Sequence, residues 1–234
     1  ESDVIGYWTG TQKQMATLTA WTASALDAVD PSATLVAPAL VTRLTSQRQW
    51  IDKFYAQKVN GKNVSRYVDA LSFQLYPEAA GGPEASMALL RSVRAILAKH
   101  KVSKPIWNTE VNYGMVGGPQ AGADASAISS SRQVGNVIRT YVLNAQNRVG
   151  RVYWYSWDLL KMGNTALVTD DRATLTPAGQ SFATVQSWLV GTRPAGCSTN
   201  KVGTWTCRFI TGSQSRTVIW NPKRTVTVTV PKGT

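Results

Sequence analysis

Between Gly10 and Val190 the sequence alternates helix-type and strand-type patterns, and this alternation restricts the possible folds more than any other feature. Five segments with apolar residues at helical spacing are predicted as amphipathic helices. They span residues 11–29, 46–59, 83–101, 131–148 and 177–190. Short apolar runs between them are predicted as strands, at residues 34–37, 67–76, 105–109 and 152–157.

Strands that are joined by helical crossovers run parallel and are buried on both faces, which fits these continuous apolar runs. The αβαβαβαβα order therefore predicts an α/β domain over residues 1–190. Four strands do not close a barrel, so we expect the second half of an eight-stranded (β/α)8 TIM barrel, with the first half upstream. The alternative is a small doubly wound sheet, which normally carries a glycine-rich phosphate loop that this sequence lacks.

After the last helix the pattern changes. Residues 196–234 are rich in Thr, Val, Arg and Gly and alternate with a period of two, which predicts a small all-β region over residues 191–234. Cys197 and Cys207 flank Gly203, which predicts a hairpin closed by a disulfide; two free buried thiols are the alternative. A disulfide requires an oxidising compartment, so we expect a secreted or cell-surface protein.

The two ends of the sequence also carry information. The chain starts at Glu1 without a methionine or a signal segment. It stops shortly after a strand-like run at residues 225–230. We therefore expect this sequence to be part of a longer protein.

Composition excludes several classes of protein. The chain has 43% hydrophobic residues and nine Trp, which excludes general disorder. No run of 18 apolar residues occurs, so no membrane-spanning helix is predicted. A single His and two Cys exclude a His-rich or multi-Cys metal site, and no cofactor motif is present. The one His, His100, lies between two lysines at a predicted helix end, where we expect it to be exposed and structural.

The net charge of +12, from 25 Lys and Arg against 13 Asp and Glu, indicates what the chain can attract. These basic residues are scattered rather than grouped with aromatic residues, so nucleic-acid binding is not expected. An anionic cell-wall polymer or acidic polysaccharide is a candidate partner, and a generally basic secreted surface is the alternative.

In a barrel of this type the active site lies at the carboxyl ends of the strands. Those ends carry Gln74, Tyr76, Glu110 and Trp157, which place one carboxylate among aromatic rings. Sugar rings stack on Trp and Tyr, and a carboxylate acts on the anomeric carbon. The combination predicts a carbohydrate substrate.

Several segments, in the expected order, resemble the clan A retaining glycoside hydrolases of families 39 and 5. Residues 105–114, with the sequence PIWNTEVNYG, are similar to the seventh strand of that clan, whose last residue is the nucleophilic Glu. Residues 67–77 resemble the sixth strand and residues 152–158 the eighth. The loop at residues 7–10 and the final helix also resemble these relatives, so the similarity covers residues 1–190.

The resemblance implies a catalytic pair. Glu110 corresponds to the nucleophile, and Glu1, a few residues before the Tyr-Trp-Thr-Gly loop, corresponds to the acid/base. The implied mechanism is a double displacement that retains the anomeric configuration. Glu110 forms a glycosyl-enzyme, while Glu1 protonates the leaving oxygen and then deprotonates water. No cofactor is needed for this chemistry.

Six further side chains are predicted to contact substrate or the catalytic carboxylates: Tyr76, Gln74, Trp157, Asn112, Tyr113 and Trp8. By resemblance, Tyr76 hydrogen-bonds the nucleophile, and Gln74 stands where relatives often have His. Trp8, together with Tyr7, forms a subsite or alternatively covers the core. The alternative to an enzyme is a non-catalytic glycan-binding or scaffold protein that derives from such a barrel.

Overall fold

The computed structural model describes residues 1–78, 80–113, 128–158 and 166–229. The α-helices in these residues are α1 Gln12–Val29, α2 Thr45–Tyr55, α3 Pro83–Lys99, α4 Ser130–Gln146 and α5 Pro177–Leu189. The strands are β1 Leu40–Val41, β2 Lys58–Val59, β3 Lys62–Asn63, β4 Leu71–Gln74, β5 Ile106–Val111, β6 Arg151–Trp154, β7 Arg193–Thr199, β8 Trp205–Thr211 and β9 Gln214–Trp220.

Four of these strands form a parallel sheet in the order β1-β4-β5-β6, which is also their order along the chain. The helices follow the same order, since each of α1 to α4 contacts the next helix along the chain. The chain therefore winds in one direction across the described sheet. The structure confirms an α/β arrangement of a parallel sheet with five helices, followed by an antiparallel β region.

The core lies between this sheet and the helices. Alternate residues of β4, among them Leu71 and Phe73, are fully buried in the main apolar cluster. The apolar faces of the helices meet them, as the amphipathic patterns require. The other face of the sheet is more open: the guanidinium of Arg151 lies 4.7 Å from the centre of the Trp107 ring, and Tyr153 packs beside that ring.

Several predicted boundaries are wrong. Residues 34–37 were predicted as the first strand, but they form only an isolated β-bridge, between Val36 and Ala70. The first strand lies after Pro38, because proline has no N–H to donate to a ladder of hydrogen bonds. The helix predicted over residues 46–59 ends at Tyr55, since a tight hairpin of β2 and β3 follows.

The antiparallel region consists of β7, β8 and β9. Cys197 and Cys207 lie opposite each other in register and form a disulfide, which confirms the predicted hairpin. Gly203 in its loop has a φ of +82°, a conformation that suits glycine. Phe209 and Cys207 are buried in the main cluster. The strand predicted from residue 225 is wrong, because residues 225–229 are irregular.

This β region is also attached to α4 by polar contacts. Gln146 donates a hydrogen bond from Nε2 to the Arg208 carbonyl and accepts one from the Gly196 N–H at 2.9 Å. Both polar ends of one side chain therefore join the helix to two strands. The helix predicted over residues 131–148 is observed as α4, which begins at Ser130 and ends at Gln146.

His100 is not exposed, contrary to the sequence prediction. Its Nε2 lies 2.6 Å from Asp52 Oδ1, and Lys99 Nζ lies 2.7 Å from the other oxygen of that carboxylate. These contacts connect the end of α3 to α2. Within the described ranges, no helix is both long and apolar enough to cross a bilayer.

Candidate active site

The position of Glu110 depends on an irregularity in β5. Phe73 of β4 pairs with Asn108, but the next residue, Gln74, pairs with Glu110. One extra residue, Thr109, therefore sits in β5 between these pairs. A bulge of this kind re-aims the side chains that follow it and is common next to active sites. Here it places Glu110 directly beside Gln74, at the carboxyl ends of both strands.

Two neighbouring side chains hold the Glu110 carboxylate. The Tyr76 hydroxyl donates to Oε1 at 2.5 Å, and the Gln74 amide donates from Nε2 to Oε2 at 3.1 Å. Both donors come from the end of β4. The Gln74 carbonyl accepts a hydrogen bond from the Thr42 hydroxyl at 2.8 Å, which ties this strand end to the end of β1. Each carboxylate oxygen thus has a fixed donor.

Burial and hydrogen bonding act on the acidity of Glu110 in opposite directions. Burial raises the pKa of the Glu110 carboxyl above its ordinary value, and the hydrogen bond from Tyr76 lowers it. The charge of Glu1 raises the pKa of Glu110 further. Burial, followed by the Glu110 charge, also raises the pKa of Tyr76, so this hydroxyl stays protonated and remains a donor.

Residues 1–3 lie against the edge strand β1. The Ser2 N–H donates to the Ala39 carbonyl at 3.1 Å, and Asp3 Oδ1 accepts from the Val41 N–H at 3.0 Å. This segment therefore lies beside the β1 side of the sheet, opposite to β5. Desolvation by burial raises the pKa of the Asp3 carboxyl to about 6. Asp3 was not among the site residues predicted from the sequence.

The charge of Glu1 reaches the same edge of the sheet as Glu110. It raises the pKa values of Glu110, Tyr76 and Tyr155, although in each case burial is the larger cause. Electrostatic influence of this kind requires proximity. Glu1 therefore lies close enough to Glu110, Tyr76 and Tyr155 for its charge to act on them.

Aromatic side chains also follow the carboxyl end of β6. Trp157, just beyond β6, has 54% of its surface exposed, and its carbonyl accepts hydrogen bonds from Leu167 and Val168 at 2.9 Å. The backbone of this tryptophan is thus fixed while its ring is accessible. Tyr155 also lies at this edge, where burial, followed by the charges of Glu110, Tyr7 and Glu1, raises its pKa. Tyr7 was considered from the sequence only together with Trp8, as a subsite or as a cover of the core, and Tyr155 was not selected.

Asn112 and Tyr113 occupy different surroundings from those expected. Tyr113 is only 2% exposed, and its hydroxyl accepts from Thr140 Oγ1 at 2.8 Å. Asn112 is fully buried and donates from Nδ2 to the Tyr155 carbonyl at 2.8 Å. Tyr113 therefore packs behind the sheet, and Asn112 positions the chain that follows β6. This geometry does not support a sugar subsite at either residue.

Trp8 packs against the main apolar cluster, whereas its neighbour Tyr7 is 67% exposed. The Trp8 ring lies so close to Gly10 that a Cβ at that position would come within 2.5 Å of it. Trp8 therefore covers the core, which is the alternative that the sequence left open. Of the two neighbouring rings, Tyr7 is therefore the accessible one, whereas Trp8, which was predicted to contact substrate, packs against the core.

The site contains carboxylates, an amide and aromatic rings, which suit a saccharide. Within the part of the chain that the structure describes, no three His, Cys, Asp or Glu side chains lie together as a metal site would require. A carboxylate with fixed donors, a second carboxyl group nearby and accessible rings can support acid–base and nucleophilic chemistry at an anomeric carbon.

Comparison with solved structures finds a match to an FMN-binding beta-glucuronidase from Facaelibacterium prausnitzii L2-6. The sequences are 13% identical, the TM-score is 0.49, and the match covers 91% of this chain. This chain spans only 39% of the length of that protein. None of the curated proteins matches the sequence at a significant level.

Comparison with protein families gives a match that extends over most of the chain. The family model described as the glycosyl hydrolase catalytic core matches residues 12–182. This region includes α1 to α4, the whole parallel sheet and the start of α5. Since the match covers well over half of the sequence, the chain belongs to the glycosyl hydrolase catalytic core family.

Proposed function

We propose that this chain hydrolyses O-glycosidic bonds in an oligo- or polysaccharide by a retaining double displacement. Glu110 acts as the nucleophile, and Glu1 acts as the acid/base. The observation that carries the proposal is the clamped Glu110 carboxylate, which receives hydrogen bonds from Tyr76 and Gln74 at the carboxyl ends of parallel strands. Membership of a glycosyl hydrolase family supports the same reaction class.

The first step is attack by Glu110 on the anomeric carbon. The Oε atoms that Tyr76 and Gln74 hold are fixed in orientation, so little reorganisation is needed at the moment of attack. When one oxygen forms the glycosyl bond, the carboxylate loses its charge, and the leaving oxygen takes a proton from Glu1. Glu1 then removes a proton from water, whose oxygen attacks the same carbon and releases Glu110.

Exposed aromatic rings bind the sugar in this proposal. Trp157 offers an accessible indole on a fixed backbone, and Tyr7 and Tyr155 lie at the same edge. The C–H faces of a sugar ring pack on such rings, while polar groups fix its orientation. Trp157 therefore forms the platform of one subsite.

The sheet fits half of a (β/α)8 barrel. Its strands follow the chain in order, and consecutive helices contact one another, as expected of a barrel segment and not of a sheet that reverses direction. The segment of residues 1–3 lies beside the β1 edge, where the end of a preceding strand of such a barrel would lie. The disulfide between Cys197 and Cys207 favours a secreted or cell-surface location.

The test combines two variants with two leaving groups. Glycosides of 2,4-dinitrophenol need little help from an acid, whereas glycosides of methanol or 4-nitrophenol need more. A panel of such β-glucosides, β-xylosides and β-glucuronides serves as the probe. We expect Glu1→Gln to lose activity in proportion to the pKa of the leaving group, and Glu110→Gln to lose activity on every substrate. NMR of the first-formed anomer should show retention.

The matched control is Glu78→Gln, which removes an exposed carboxylate shortly after the end of β4. This control should keep wild-type rates. Inversion of the anomer, or full activity in Glu110→Gln, would contradict the mechanism. Sugar binding without turnover by the wild-type protein would favour the non-catalytic glycan-binding alternative.

A further inference from the structure

A groove of about 590 Å³ lies between the first turns of α4 and the segment that follows β9. Its walls include Arg132 and Arg139 from the helix, and Trp220, Arg224 and Val226 from the β region. None of the described residues that line it is acidic, and none belongs to the Glu110 site. Its size falls within the range of small-ligand sites.

The indole of Trp220 is fixed in this groove. Its ring stacks on Trp205 with the centroids 5.6 Å apart and the planes 7° from parallel. Its N–H donates to Glu84 Oε1 at 2.8 Å. Glu84 also accepts from Arg139 Nη1 at 2.9 Å, so this carboxylate joins α3, α4 and β9. The aromatic wall is therefore held in place by groups that are already satisfied.

The free positive charge comes from two other arginines. Glu84 offsets the charge of Arg139, but Arg132 and Arg224 are exposed. Among the residues that the structure describes, the Arg132 guanidinium makes only a long contact of 3.5 Å, to the Ala80 carbonyl. The loop that carries Arg224 is ordered, because the Asn221 side chain accepts from the Arg224 N–H at 3.2 Å. Both guanidinium groups are presented at the groove without an acidic side chain among its lining residues.

We propose that this groove is a second carbohydrate site, which binds an acidic polysaccharide of the polyuronate type. Guanidinium groups bind carboxylates in a bidentate manner, so Arg132 and Arg224 recognise the uronate groups. The face of a sugar ring packs on Trp220. The net charge of +12 draws a polyanion towards the protein, and the groove determines where it binds.

The test measures binding of polygalacturonate, with neutral dextran for comparison, by isothermal titration calorimetry. All proteins carry Glu110→Gln, so the result does not depend on the proposed hydrolysis. The test variant adds Arg132→Gln and Arg224→Gln. The control instead adds Lys58→Gln and Lys62→Gln, which remove two exposed charges from the β2–β3 hairpin.

We expect polygalacturonate to bind at least tenfold more weakly to the arginine variant, and within twofold of the parent to the lysine control. Raising the salt concentration should weaken binding to the parent more than to the arginine variant. Equal losses in the two variants would show that binding follows overall charge and would overturn the site. Tighter binding of a single-stranded oligonucleotide than of polygalacturonate would overturn the ligand class. In the background with Glu110 intact, hydrolysis of small aryl glycosides should be unchanged by the arginine substitutions.

Discussion

The edge of the parallel sheet that carries Glu110 and the antiparallel β7–β9 sheet are held together in different ways. At the parallel edge, side chains from separate strands meet through hydrogen bonds, such as the one from Tyr76 to Glu110. In the β7–β9 sheet a covalent bond joins Cys197 to Cys207 within one hairpin. The first arrangement keeps a carboxylate partly buried and therefore chemically poised, whereas the second fixes the backbone and leaves no group to react.

The strongest test of this difference is Glu110→Gln. We expect kcat/KM to fall by about 10⁴-fold, since the amide cannot form the glycosyl-enzyme. Stability should be kept or improved. Burial raises the pKa of Glu110 in the folded protein, so its ionised form opposes folding at neutral pH, and this cost is absent below the ordinary pKa of Glu. Thermal unfolding at pH 7 and pH 4 measures this cost. Glu110→Gln should be more stable than the wild type at pH 7 but not at pH 4.

The opposite outcome is expected for the disulfide. Replacing Cys197 and Cys207 by Ser removes a bond that spans a sequence separation of 10 residues. The unfolded chain then gains entropy, and the free energy of unfolding should fall by about 2–3 kcal/mol. Urea denaturation gives this value, and activity below the transition should be unchanged. A large loss of kcat without unfolding would show that the β region and the Glu110 edge are coupled.

Tyr76→Phe addresses the hydrogen bond itself. Losing a donor to a charged group is worth about 1.5–3 kcal/mol, so kcat/KM should fall about 10- to 100-fold. The Tyr76 bond lowers the pKa of Glu110, so its removal raises that pKa. Because the nucleophile must be ionised, the acidic limb of the pH–rate profile should move to higher pH.

Other acidic groups at this edge also titrate, above all Asp3, whose pKa is about 6. They are the same in the wild type and in Tyr76→Phe, so the difference between the two profiles reports on Glu110. Tyr113→Phe is the matched control, because its hydroxyl contacts Thr140 instead. It should lower stability and leave the profile in place. An unmoved profile in Tyr76→Phe would separate Tyr76 from the ionisation of Glu110.

The two regions also differ in how far sequence could predict them. The disulfide hairpin depends on two cysteines around Gly203, and this local pattern was sufficient. The position of Glu110 depends on the extra residue, Thr109, in β5. This residue is extra only when β5 is compared with its neighbours β4 and β6, to which it is paired. A two-residue alternation within one strand carries no sign of it. The strand was accordingly predicted to end at Thr109, whereas it continues to Val111.

Aromatic residues of the site show the same limit. Tyr7 and Trp8 are adjacent aromatic residues, and the sequence alone does not show which of the two rings faces the core. The close approach of Trp8 to Gly10 decides it, and that contact is a product of the folded loop. Helices were easier to predict, since α3 and α5 begin at Pro83 and Pro177 as their sequences indicate. Local rules thus located the elements, and contacts between elements determined the site.

The smallest expected effect concerns Trp157, whose ring is exposed and whose backbone is fixed. Trp157→Ala removes a packing surface for one sugar ring, worth about 1 kcal/mol, so KM should rise about fivefold with little change in kcat. Trp21→Ala is the control, since Trp21 is 67% exposed on α1. If both variants behave like the wild type on an oligosaccharide, Trp157 is not the platform. If Trp157→Ala instead lowers kcat, the Trp157 ring stabilises the transition state. The ring then takes part in the reaction at the Glu110 edge and does more than bind the sugar.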